Sequence, residues 1–213
     1  MDSLPLLLIF WYGILHAFGP DHLTAITDFS IGKSKKKTML ITLAFAVGHG
    51  VSLFIFAKIL QHIDISEEIL SWGDYISSSV IIAIGLFLLF MALSGRINVG
   101  WHEHDGKKHI HIWYGKKHKH SEKKQVTSAL TVGTLMGIGG VRGMLVTLSA
   151  IAHHEVNLMM VASFTIGVML VFLMFGYFIS LINENLLKTQ KNVRVAFATA
   201  GVISLIVGTN MFI

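Results

Sequence analysis

The sequence predicts an all-α integral membrane protein with six transmembrane helices, arranged as two inverted three-helix repeats, with the first helix broken at Gly19-Pro20. Three observations lead there. Hydrophobic residues make up 53% of the 213 and charged residues only 14%, with a mean hydropathy of +0.66. Six apolar stretches, at 4–30, 39–60, 69–94, 128–152, 157–182 and 193–213, are each long enough to cross about 30 Å of hydrocarbon. The basic residues collect in alternate loops.

That charge pattern sets the expected orientation. Loops 1–2, 3–4 and 5–6 hold fifteen of the seventeen Lys and Arg residues, including Lys33, Lys35–Lys37, Lys116, Lys117 and Lys188. The opposite face has Asp2, Asp64, Glu67, Glu68, Asp74 and Glu155. The positive-inside rule then puts both termini outside and the 96–127 loop in the cytoplasm of a cell whose inner membrane holds the chain. The first stretch starts with Asp2 rather than a basic cluster and lacks a small-residue cleavage site, so it reads as a span and not as a signal peptide. With no cysteine, thiolate metal sites and dithiol chemistry are excluded. The net charge of +5 belongs beside a membrane, and no aromatic-basic pattern points to nucleic acid. Nothing in the sequence sets the oligomeric state.

Three divisions follow: a first membrane repeat at 1–95, a His-rich loop at 96–127 expected to be disordered, and a second membrane repeat at 128–213. Ala44-Phe45-Ala46-Val47-Gly48 in span 2 matches Ser163-Phe164-Thr165-Ile166-Gly167 in span 5. Spans 1 and 4 share glycine-rich centres leading into Leu23-Thr24-Ala25-Ile26 and Leu148-Ser149-Ala150-Ile151. Three spans per repeat require the second copy to be inverted, a transporter plan with the substrate site at the repeat interface.

The chemistry concentrates in span 1. Ionisable groups at membrane depth cost roughly 2.5–3.5 kcal/mol each on insertion scales, so His16, Asp21 and His22 within one span mark a site. On a continuous helix His16 and His22 would stand ~600° apart in rotation, about 120° from eclipsed and more than a turn apart. Pro20 removes the hydrogen bond to the carbonyl of residue 16, and Gly19 lets the chain swing at that point. A break there brings His16, Asp21 and His22 together and frees the His16 carbonyl as a further donor. Imidazole and carboxylate without thiolate suit nickel, cobalt or zinc rather than copper(I), calcium or magnesium.

His49, between Gly48 and Gly50 in span 2, is a fourth ligand, a supporting partner or a packing histidine. Asp28 lines an exit or caps the span. Arg142, among Gly133, Gly137, Gly139, Gly140 and Gly143, would repel a metal ion and pairs instead with an acid such as Asp21 or Asp28, in a gating or structural role. The loop contains three His-x-His pairs, His102/His104, His109/His111 and His118/His120. They form a metal-collecting arm or, in the bland reading, part of a basic tether on anionic lipid. His153, His154 and Glu155 at the outer end of span 4 would attract ions.

His16-x4-Asp21-His22 followed by Ala25-Ile26, with Gly48-His49 in the next span, resembles the signature of the nickel/cobalt transporter superfamily. The Pro20-Asp21-His22-Leu23 version is similar to its NicO and urease-accessory (UreH-like) branches, and the His-rich loop to nickel/cobalt efflux permeases of the group. The resemblance implies metal selection and translocation by His16, Asp21, His22 and His49, with nickel or cobalt as transported ion, no resident cofactor and no catalytic residues. The second half departs from the family pattern, since Arg142 stands where some relatives place a histidine.

Gly32-Lys33-Ser34 lacks the earlier glycine of a P-loop, so no nucleotide motor is visible. Inward movement of a dication gains about 4.6 kcal/mol per 100 mV, which favours uptake. Export would need proton exchange, for which histidines are available. A LysE-like exporter of small solutes and a membrane-embedded metalloenzyme are the alternatives, and neither accounts for the His-x-His pairs.

Overall fold

In the computed structural model the described residues are 3–60, 67–95, 97–104, 107–114, 122–152 and 157–212. Within these, residues 3, 57, 58, 60, 67–70, 101–104, 107–114, 122–124 and 141–152 are described by their backbone alone. The elements in order are α1 (Ser3–Ala17), α2 (Pro20–Ser30), α3 (Lys35–Leu60), α4 (Glu67–Leu93), β1 (Ile97–His104), β2 (Lys107–Tyr114), α5 (Glu122–Ala152), α6 (Leu158–Leu186) and α7 (Gln190–Asn210).

Among the described residues four helices are long and apolar enough to cross a membrane, or five when α1 and α2 count as one bent span. The chain is a helical membrane protein. α1 and α2 meet at 59°, with the break where Pro20 was expected to place it. Gly19 is the N-cap and Pro20 opens α2, where its missing N–H costs nothing. α6 and α7 are started by side chains: Asn157 accepts from the Met160 N–H and Thr189 from the Asn192 N–H. Gly32 and Gly95 take φ of 70° at two turns, a region that favours glycine.

The helices of the two halves pack on one another. α3 lies against α5 and α1 against α6; α4 lies against α7, and α3 against α6. A Cβ added to Gly133 of α5 would collide with the Phe45 carbonyl of α3, and one added to Gly13 of α1 with the Phe164 carbonyl of α6. The same holds for Gly48 against the Leu130 carbonyl and Gly167 against the Phe10 carbonyl. Without a hydrophobic drive between helices in lipid, such glycines permit the backbone contact that holds the bundle. Ser163 Oγ adds a hydrogen bond to the Leu6 carbonyl at 2.8 Å.

The core has two parts. The larger surrounds Ile9, Ala25, Phe45, Phe164 and Phe172 at the meeting of α1, α2, α3 and α6. The smaller gathers Ile31, Leu88, Ala92, Ile97, Leu187 and Val193, so the turns after α2, α4 and α6 share one end of the bundle. These are the three basic loops, brought to one face as the charge pattern required.

In the loop expected to be disordered, residues 97–104 and 107–114 form strands, while 96, 105, 106 and 115–121 lie outside the described residues. β1 and β2 pair antiparallel, with Ile97 opposite Tyr114 and His102 opposite His109, and α5 begins at Glu122. Among the described residues the fold is therefore helical with one two-stranded ribbon. Residues at every second position from Ile97 to Trp101 and from Ile110 to Tyr114 are apolar, a period-2 pattern that suits a ribbon with one buried face.

Candidate metal centre

The break in span 1 and the middle of α3 supply the site. His16 lies in the last turn of α1, His22 in the first turn of α2, and His49 midway along α3. One ligand atom from each lies within 4.8 Å of the others. His16 Nε2 and His49 Nε2 are 3.3 Å apart. Two nitrogens bound to one ion at about 2.0–2.1 Å, with an angle of roughly 90–109°, stand about 2.9–3.4 Å apart, so this spacing suits two ligands of one metal. The imidazole centroids are 4.8 Å apart for His16 and His22 and 4.7 Å for His22 and His49.

Asp21 stands behind the three rings rather than among them. His22 Nδ1–H donates to Asp21 Oδ1 at 2.8 Å, which fixes the tautomer and leaves the Nε2 lone pair for a ligand. Among the described residues His22 Nε2 is buried without a hydrogen-bond partner. An orphaned buried imidazole nitrogen is costly in a finished core and expected in an open ligand set. His49 thus joins the cluster directly, while Asp21 is paired with His22.

The His16 carbonyl is not left open as expected. It accepts from the Gly19 N–H at 2.9 Å, so the turn closes on itself at the break. Gly19 also makes room for the Asp21–His22 pair: a Cβ there would stand 2.6 Å from Asp21 Oδ1 and 2.9 Å from His22 Nδ1. Gly140 of α5 backs His16, and a Cβ would lie 3.2 Å from its Nε2. This second-half contribution was not legible beyond the row of glycines that contains it.

Aromatic rings dry the site. Phe45 stacks on His49 with centroids 6.2 Å apart, Phe172 faces His22 at 5.6 Å, and Phe164 faces His16 at 5.3 Å. Exclusion of water strengthens whatever charge the imidazoles hold.

Asp28 is buried further along α2. Its Oδ2 accepts from Ser204 Oγ of α7 at 2.7 Å, and Oδ1 has no partner among the described residues. Sequence reasoning gave no signal for Ser204. The Arg142 side chain lies outside the described residues, as do those of His102, His104, His109 and His111. His118, His120, His153, His154 and Glu155 lie wholly outside them.

Pro20→Ala removes the ring that forbids the residue-16 hydrogen bond, a helix-interior penalty of about 3 kcal/mol. Straightening then competes with the break. Binding of nickel(II) at the three imidazoles is expected to fall severalfold in this variant, as read by titration of the detergent-purified protein. Unchanged binding would mean that Gly19 and packing hold the break unaided.

A bundle of long apolar helices whose first span breaks at three convergent histidines defines a polytopic membrane protein with an interior ligand cluster. The chain is similar to the urease accessory protein UreH of Bacillus sp. (strain TB-90), 29% identical over 188 residues, which are 82% of this chain and 77% of that one. The resemblance to the UreH-like branch therefore extends over most of the chain. It is also 32% identical over 83 residues to the chloroplast protein FOR GROWTH AND FERTILITY 1 of Arabidopsis thaliana, across 36% of this chain and 22% of that one. No family model matches, and no solved structure does.

Proposed function

We propose that this chain is a transporter, not an enzyme, that moves nickel or cobalt ions across a cell membrane through His16, His22 and His49, with Asp21 orienting His22. The observation that carries the reading is the convergence of three imidazoles within 4.8 Å at a helix break inside an apolar bundle. Neutral nitrogen ligands favour a borderline transition dication over calcium or magnesium. Similarity to a urease accessory protein accords with the superfamily resemblance of the span-1 motif.

The bundle is read as two inverted three-helix repeats with α5 as the fourth of six spans. Supporting this, exchange of α1–α2 with α5, α3 with α6 and α4 with α7 maps α3–α5 onto α1–α6 and α4–α5 onto α2–α7. It also pairs Gly13 with Gly133 and Phe45 with Phe164. The basic end faces the cytoplasm by the positive-inside rule, with both termini outside. Uptake driven by membrane potential needs no further coupling.

Cells expressing the chain at low external radioactive nickel should accumulate the isotope, and His22→Ala should return them to the vector level with normal membrane insertion. Depletion below the vector, reversed by the same substitution, would establish efflux. Equal nickel content in the variant and the parent would remove His22 from the path.

A further inference from the structure

We propose that Asp28 and Ser204 form a proton-binding site, apart from the three imidazoles, whose proton holds α2 against α7 and thereby keeps the cluster assembled. Ser204 Oγ stands 2.7 Å from Asp28 Oδ2 and 2.8 Å from the Ala200 carbonyl, one turn back on its own helix. Both neighbours are acceptors when Asp28 is ionised, and a hydroxyl has a single hydrogen to give. Directed at Oδ2, that hydrogen leaves the carbonyl contact without one; shared between them, it serves neither well. A proton on Oδ2 satisfies both. Asp28 Oδ2–H then donates to Ser204 Oγ, and Ser204 Oγ–H donates to the Ala200 carbonyl.

The surroundings agree. Asp28 is buried, and Oδ1 has no partner among the described residues, whereas Asp21 meets the His22 Nδ1–H. Burial and the Ser204 hydroxyl act on the Asp28 carboxyl, and among the described residues no charged group does. α2 packs on α3, α4, α5, α6 and α7, whose titratable groups lie elsewhere. Lys35–Lys37 open α3, with Lys35 over the Tyr177 ring of α6, and His49 belongs to the cluster. Asp74 and Tyr75 stand near the start of α4, Glu184 near the end of α6, and Lys191 and Arg194 in the first turn of α7. Arg142 of α5 is described by its backbone alone. A proton on Asp28 leaves no unpaired charge between these helices.

Asp28 lies six residues past His22 on the same half-helix, about 9 Å along its axis. Ser204 is held in place, since a Cβ on Gly85 of α4 would stand 2.9 Å from its Cβ. Release of the proton to water at the basic end leaves a carboxylate at the α2–α7 contact with no cation among the described residues to meet it. α2 then parts from α7, turns at Gly19 and carries His22 away from His16 and His49. With α2 docked, as here, the three ligand atoms lie within 4.8 Å of one another. A proton at Asp28 and a metal ion at the cluster therefore favour each other. This coupling rests on the metal reading of the cluster; the proton site does not.

Infrared spectra of the full chain in detergent at neutral pH should show the C=O stretch of a protonated carboxyl that Asp28→Asn removes and Ser204→Ala shifts. Asparagine keeps a neutral group able to donate to Ser204, so the α2–α7 contact survives. Nickel(II) alone is then titrated into parent and Asp28→Asn from mildly acid to mildly alkaline buffer. The imidazoles give both proteins the same pH dependence, and the ratio of their affinities isolates Asp28. On the alkaline side the parent should weaken at least about fivefold relative to the variant, the lower end of coupling between linked sites. Saturating nickel should make the carboxyl band of the parent persist to higher pH. Absence of that band at neutral pH would overturn the proton site. An affinity ratio that does not change with pH, with the band present, would overturn its coupling to the cluster. Failure of both proteins to bind nickel would overturn the metal reading and the coupling with it, and leave the proton site to the infrared result.

Discussion

Asp21→Asn is expected to weaken apparent nickel affinity about 10–100-fold while sparing much of the maximal flux. The carboxylate accepts the His22 Nδ1 proton at 2.8 Å and so keeps Nε2 free of one. An asparagine presenting its oxygen keeps the bond without the charge. One presenting its amide forces the proton onto Nε2, where the metal must bind. Both outcomes raise the metal concentration needed for half-maximal uptake. Concentration-dependent nickel uptake separates this from direct ligation, in which Asp21→Asn would abolish flux at every concentration, as His22→Ala should.

Gly133→Leu is expected to cost more than about 3 kcal/mol and to leave little folded protein, because the new side chain meets the Phe45 backbone rather than a yielding side chain. His49 lies four residues from Phe45 on the same helix, so the cluster is lost with the interface. Gly13→Leu should fail similarly against Phe164, its counterpart in the other half. Val202→Leu on an exposed part of α7 provides the control and should leave the melting temperature unchanged. Thermal melts of detergent-purified variants, read by monodispersity, measure all three. A Gly13 variant as stable as the parent would argue against equivalent interfaces in the two halves.

The break at Gly19-Pro20 was legible because proline has one well-defined effect within an apolar run, and the histidines on either side needed only that bend to meet. The role of His49 was not, since a lone histidine between glycines carries no information about which helix it faces; α3 had to be placed beside α1 and α2 first. The pairing of Asp21 with His22 was not legible either, because spacing cannot distinguish a carboxylate that touches an ion from one that holds its neighbour. The hairpin was missed for a different reason. Counting the charges of 96–127 pointed to disorder, while the alternation of Ile97, Val99 and Trp101 with Ile110, Ile112 and Tyr114 carried the period of a strand. Composition describes a segment's average, and a ribbon is defined by its alternation. The collection of three basic loops at one end was readable from parity alone.

Asn183 of α6 grips the turn after α2 with both ends of its amide. Its Oδ1 accepts from the Gly32 N–H at 3.0 Å, and its Nδ2 donates to the Ser30 carbonyl at 2.7 Å and the Lys33 carbonyl at 3.1 Å. Mechanically this is a linkage. The half-helix that carries His22 is hinged at Gly19 and tied at its far end to a helix from the other half of the chain. A tilt of α6 that preserves these bonds drags the tail of α2 with it, turning α2 about the hinge like a lever and moving His22 relative to His16. One amide thus gives the second half of the protein a handle on the geometry of a cluster whose ligands all come from the first.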